Sequence, residues 1–126
     1  MSTILIVEDN EKNMKLVRDI LQFKGHRTLE AVNGLDGVRL AREEKPDLVL
    51  MDIQLPDIDG ITALARIREN AALDAVPVLA VSASVMPDEQ QKIVTSGFDA
   101  FITKPINLKQ FLDTVKRFLA QGRMKP

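Results

Sequence analysis

Apolar and polar positions alternate along this chain on two length scales. Short, nearly unbroken aliphatic runs (Ile4-Leu5-Ile6-Val7, Leu48-Val49-Leu50-Met51 and Val78-Leu79-Ala80-Val81) are separated by longer segments in which apolar residues recur at helical spacing. A short run with no polar face belongs to a strand covered on both sides, and the helical spacing belongs to an element with one buried stripe. The pattern predicts strands over Thr3 to Val7, His26 to Ala31, Asp47 to Met51, Val78 to Ser82 and Phe101 to Thr103. The second, containing Arg27-Thr28-Leu29-Glu30, is more polar and reads as an edge strand.

Helices fill the gaps. Met14, Val17, Ile20 and Leu21 form one stripe, which Asn10 can cap and Gly25 can end. Asn33-Gly34 reads as a turn opening a second helix, with Leu35, Val38 and Ala41 on its inner face. Ile61, Leu64 and Ala65 mark a third. Pro87-Asp88-Glu89 has the form of a helix start, with proline in the first turn and acids at the positive end of the dipole, and Gly97 would stop it. The last helix carries Leu108, Phe111, Leu112, Val115, Phe118 and Leu119 at helical spacing, with Asn107 and Gln110 as a capping-box-like start. From Ala120 to Pro126 the pattern lapses into what reads as a frayed tail. Strict strand–helix alternation implies a parallel sheet, and right-handed crossovers wind it into a doubly wound α/β sandwich.

Composition narrows the class. A chain of 126 residues makes one domain with a single core, and 45% apolar with 28% charged residues describes a globular chain. No apolar stretch reaches membrane-spanning length, and no leader precedes the first strand, so no membrane association is expected. Without cysteine there is no disulfide framework, thiolate nucleophile or cysteine zinc site, which fits a cytoplasmic protein. A net charge of -1 argues against broad nucleic-acid binding, and five Phe without Trp or Tyr leave little to stack bases on. The lone His26 follows Gly25 in a helix-to-strand connection and reads as a structural or surface residue.

The candidate chemistry sits at the strand ends. Asp52 ends one aliphatic run, Glu8-Asp9 end another, Ser82 ends a third and Lys104 follows Phe101-Ile102-Thr103. In a parallel α/β sheet these ends share one rim, where ligands bind. Three carboxylates in one small volume repel one another unless a cation or a phosphoryl-transfer role explains them. Asp57 and Asp59 in Pro56-Asp57-Ile58-Asp59-Gly60 suggest a calcium loop, but the EF-hand spacing is absent. Asp59 reads instead as a turn or helix-cap residue, and Gly60 as serving the backbone.

At this point the chain resembles the receiver domain of bacterial two-component response regulators. The motifs that carry the likeness are Glu8-Asp9, Asp52 with Leu55-Pro56 and Gly60, Ser82-Ala83, and Lys104-Pro105. Ile6-Val7-Glu8-Asp9-Asn10 with Asn13, and Met51-Asp52-Ile53-Gln54-Leu55-Pro56, look most like stand-alone receivers of the polar-differentiation (DivK) type and the receivers of hybrid kinases. The resemblance implies a flavodoxin-like (βα)5 sandwich with a five-stranded parallel sheet in order 2-1-3-4-5. It implies a receiver over residues 1–119 and a short tail over 120–126. It also implies that Asp52 accepts a phosphoryl group from a phosphohistidine on a histidine kinase or phosphotransfer protein. Mg²⁺ would be held by Asp9, Asp52 and the Gln54 backbone carbonyl, with Glu8 acting largely through water. Lys104 would contact a phosphoryl oxygen, and the bond to Pro105 would be cis.

The same resemblance implies a switch. Ser82 would move toward the phosphoryl group and Phe101 would swing inward, with the change concentrated in the fourth helix, fifth strand and fifth helix, where an effector protein would dock. Gln54 and Ser84 would flank the water path and tune dephosphorylation. Two other classes compete. A haloacid-dehalogenase-like phosphatase would want an acid where Gln54 stands, and a flavodoxin-like FMN carrier would not place Glu8-Asp9-Asn10 against a phosphate. Met1 and the last helix point to a stand-alone protein rather than a receiver cut from a hybrid kinase.

Overall fold

The computed structural model describes residues 2–83 and 86–123. Its five strands are β1 (Thr3–Val7), β2 (Arg27–Ala31), β3 (Leu48–Asp52), β4 (Val78–Ser82) and β5 (Ala100–Thr103). They form one parallel sheet in the order β2-β1-β3-β4-β5. Between and after them lie α1 (Glu11–Phe23), α2 (Gly34–Glu44), α3 (Gly60–Arg68), α4 (Pro87–Thr95) and α5 (Leu108–Gln121).

The period of the strands divides the core into two layers, since successive side chains point to opposite faces. Leu5, Val7, Val49, Met51 and Ala80 face α2, α3 and α4, where they meet Val38, Ala41, Leu64, Ile67 and Ile93. Ile4, Ile6, Leu48, Leu50, Leu79, Val81 and Ile102 face α1 and α5, where they meet Met14, Val17, Leu21, Phe111, Val115 and Phe118. β3 and β4 are buried at every position, whereas β2 at the sheet edge is mixed, as its polar sequence implies.

The caps follow the expected chemistry. The side chains of Asn10, Asn33, Asp59 and Asn107 accept from the backbone N–H groups of Asn13, Asp36, Thr62 and Gln110. Pro87 opens α4, and Gly25 and Gly97 take positive φ just past α1 and α4.

Several positions differ from the pattern. β3 ends on Asp52 rather than Met51, because Asp52 still pairs in register with Val81; Asp47 stays outside and bonds Thr3 with both its backbone and its carboxylate. Leu35 is 50% exposed, since it lies in the first turn of α2 beyond the sheet's cover. In α3 the buried stripe is Ala63, Leu64 and Ile67, and Ala65 points to solvent. Leu108 is likewise exposed at the start of α5. A short 3-10 turn at Ala71–Leu73, capped by Asn70, was not legible as periodicity because it is shorter than one apolar repeat. α5 runs through Gln121, past Ala120 where the apolar pattern lapses, and Arg123 is held by Asp99 at 3.0 Å and by the carbonyl of Asp74 at 3.0 Å.

Candidate functional site

Burial on both faces leaves the end of β3 one polar outlet. Asp52 continues the strand's fully buried pattern and is 6% exposed, so its carboxylate is fixed by the sheet rather than by a mobile loop. β1 ends beside it in register, Val7 opposite Met51, which puts Glu8 next along the same rim. Carboxylate oxygens of Glu8, Asp9 and Asp52 all lie within 4.8 Å of one another, with Glu8 and Asp52 buried and Asp9 exposed. The cluster lines a cleft of about 400 Å³ that also takes in Gln54, Ser82 and Lys104.

The charges are arranged around one cation. Lys104 Nζ lies 2.8 Å from Glu8 Oε1 and 3.0 Å from Asp52 Oδ2. Lys104 reaches this point because its backbone N–H donates to the Ser82 carbonyl at 3.0 Å, extending the β4–β5 ladder by one residue. Its bond to Pro105 is cis, as expected. The remaining oxygens are also served: Asn10 N–H donates to Glu8 Oε2 at 3.1 Å, and Gln54 N–H donates to Asp52 Oδ1 at 3.1 Å.

Burial pushes the Glu8 carboxyl above its ordinary range; the hydrogen bond from Lys104 opposes this, and the neighbouring Asp52 adds to it. For Lys104 burial works against the charged form, but the hydrogen bonds to Glu8 and Asp52 and their charges outweigh it, so the ammonium is held above its usual value. Lys104 is thus a fixed positive charge. A single lysine cannot neutralise three acids, and a set of carboxylate oxygens is the donor chemistry a hard cation such as Mg²⁺ takes.

The expected site residues therefore converge: Glu8, Asp9, Asp52, Gln54, Ser82 and Lys104 share the cleft. Ser82 is 3% exposed at the end of β4. Phe101 is half-buried on β5, packed against the layer that includes α4. Ser84 lies outside the described residues. His26 sits at the opposite end of the sheet, before β2; its Nδ1 is buried without a partner among the described residues, and burial lowers its pKa. Gly60 is required by contact, since a Cβ there would lie 2.5 Å from the Asp52 carbonyl oxygen.

Asp57 has a role the sequence did not reveal. Its carboxylate accepts from Gly34 N–H at 2.7 Å and Leu35 N–H at 2.9 Å, joining the β3–α3 loop to the first turn of α2. Burial opposes ionisation of Asp57, but these backbone donors outweigh it and hold the carboxyl below its ordinary value. No local signal marks this contact, because its partners lie 23 and 22 residues away in the chain.

A parallel β2-β1-β3-β4-β5 sheet with an acidic cluster and a lysine at its carboxyl rim defines a class of α/β signalling domain, and residues 4–116 match the family model of the response regulator receiver domain. The chain belongs to that family. It is 43% identical over 120 residues to the polar-differentiation response regulator DivK of Brucella anthropi, covering 95% of this chain and 98% of that one. Among solved structures, the receiver domain of a signal transduction histidine kinase from Syntrophus aciditrophicus is 30% identical with a TM-score of 0.89, covering 96% of this chain and 92% of that one. The receiver domain of a sensor histidine kinase from Pseudomonas aeruginosa is 28% identical with a TM-score of 0.88, covering 94% of this chain and 98% of that one. That structure has a magnesium ion coordinated in its active-site cleft.

Proposed function

We propose that Asp52 is the phosphoacceptor of this receiver. The observation that carries the reading is the Asp52 carboxylate itself, buried at the end of β3, with Lys104 at 3.0 Å and two further acids within 4.8 Å. In the transfer, an Asp52 oxygen forms a bond to phosphorus as the phosphorus–nitrogen bond of a phosphohistidine breaks, leaving an acyl phosphate on Asp52. Asp9, Asp52 and the Gln54 backbone carbonyl would hold Mg²⁺, with Glu8 acting largely through water. When bound, the ion neutralises charge on the phosphoryl oxygens, the main demand of such transfers. Lys104 supplies a compact positive charge to one of those oxygens.

The donor is a histidine kinase or a histidine phosphotransfer protein, and the setting is cytoplasmic. Phosphorylation adds close to two negative charges to the rim. Ser82 draws toward the phosphoryl group, Phe101 turns inward, and an effector protein reads the altered α4–β5–α5 face. Gln54 and Ser84 tune dephosphorylation. The chain is then a switch that transfers and sheds its own phosphoryl group and turns over no external phosphate ester.

The test is intact mass after incubation with acetyl phosphate. Wild type is expected to gain one phosphoryl group only with Mg²⁺, and Asp52→Ala to gain none. Persistent labelling of Asp52→Ala would sink the assignment.

A further inference from the structure

The loop that leaves β3 is pinned at both its base and its tip. At the base, Gly60 N–H donates to the Ile53 carbonyl at 2.9 Å, and Asp52 Oδ1 takes the Gln54 N–H at 3.1 Å. At the tip, Asp57 takes the N–H groups of Gly34 and Leu35. Ile58 seats on the same turn of α2, where a Cβ on Gly34 would lie 2.5 Å from Ile58 Cγ1 and 3.1 Å from the Ile58 carbonyl oxygen. The loop therefore docks into a space that only glycine leaves.

We infer that Asp57 is a positioning residue for the cation side of the acceptor site: by fastening the loop tip to α2, it holds the Gln54 backbone carbonyl where the ion needs it. The inference rests on the receiver chemistry proposed above. Leu55 and Pro56 are all that separate Gln54 from Asp57, and Pro56 removes backbone freedom from that short span. A shift of the tip is therefore passed to the Gln54 carbonyl instead of being absorbed between them. Outer groups that orient ligands in this way are worth at least about tenfold in metal affinity.

A simple helix cap would use the same two hydrogen bonds, and the structure supplies the control. Asn33 caps the same turn of α2 through Asp36 N–H at 2.8 Å but makes no contact with the loop through that bond. Removing either side chain strips a cap, and only Asp57→Ala frees the loop.

Mg²⁺ is titrated into wild type, Asp57→Ala and Asn33→Ala by calorimetry, with the Gln54 amide followed by NMR. Asp57→Ala is expected to bind Mg²⁺ about tenfold more weakly, with a displaced Gln54 amide, and Asn33→Ala to match wild type. Acetyl phosphate labelling of Asp57→Ala should recover its plateau at saturating Mg²⁺. Equal Mg²⁺ affinities for the two variants would overturn the inference and leave Asp57 a helix cap. If Asp57→Ala does not fold, Asp57→Asn, which keeps one acceptor oxygen, should fall between wild type and loss, and a wild-type affinity there would overturn the inference. A wild type that binds no Mg²⁺ would overturn the receiver reading itself, whereas an unshifted variant beside a binding wild type overturns the positioning role alone.

Discussion

Glu8 and Lys104 illustrate how a site is built from opposed preferences. Burial raises the Glu8 pKa, so the folded state holds its proton more tightly than the unfolded chain does. A group of that kind stabilises the fold below its unfolded value, 4.5 here, and loses that contribution as pH rises through the higher folded value. Lys104 is raised as well, so its contribution is present below 10.5 and is lost only above its folded value. In Mg²⁺-free buffer, stability should therefore fall as pH climbs from 4.5 through the folded value of Glu8, and Glu8→Gln should lack that decline. Thermal melts across this interval decide it; an identical pH profile in the variant would remove Glu8 as the cause. At this scale the sequence was most informative. Glu8, Asp9, Asp52, Ser82 and Lys104 were readable because, although a polar residue after a strand is common singly, acids, a serine and a lysine recur at four of the five strand ends that share one rim. Asp57 was not readable, because its importance depends on α2 lying across from it.

Among the elements, α5 shows how periodicity identifies a helix without locating its buried face. Leu108 and Phe111 belong to the same apolar pattern, yet Phe111 is 1% exposed and Leu108 55%. Phe111 sits in the layer with β1, β3, β4 and β5, so truncation leaves a cavity that the rigid sheet cannot close. Phe111→Ala should cost about 3–5 kcal/mol. Leu108→Ala should change stability by less than about 0.5 kcal/mol, since more than half of its surface already lies in solvent. Denaturant unfolding of both variants checks the contrast, and comparable losses would refute the packing argument. The same limit explains Leu35 and Ala65, which sit on or near the apolar stripe but beyond the reach of the sheet.

For the whole molecule, the chain after α5 is tied to the end of the sheet opposite the acidic cluster. The Asp99 side chain, 4% exposed, lies between Arg68 at 3.3 Å and Arg123 at 3.0 Å, and it also takes the Val78 N–H at 2.8 Å. Removing one arginine leaves the carboxylate with other partners. Removing Asp99 takes the counter-ion from two guanidinium groups at once, leaving them only the carbonyls of Leu73, Val76 and Asp74, and takes the side-chain acceptor from the Val78 N–H. Asp99→Ala should thus cost about 3 kcal/mol or more, and Arg123→Ala about 1 kcal/mol. Chemical denaturation measures both, and an equal or reversed order would show that the cluster is not centred on Asp99. The expectation of a frayed tail from Ala120 missed this contact because a lone arginine past the apolar stripe that ends at Leu119 carries no periodic signal.

The strand–helix alternation, the doubly wound sandwich and the shared rim of polar strand ends could be read from order along the chain, because they follow from local rules. The strand order came instead from the family resemblance, and the division of the core into two layers from the structure. Unbroken aliphatic runs must be covered on both faces, parallel strands need right-handed crossovers, and carboxyl ends then share one rim. Folding alone decided the contacts between residues distant in sequence. These are the seating of Ile58 on Gly34, the Asp57 tether to α2, the fit of Gly60 against the Asp52 carbonyl, and the grip of Asp99 on Arg123. Each depends on the separation and angle of elements set by packing of the core, and a one-dimensional pattern does not encode those quantities.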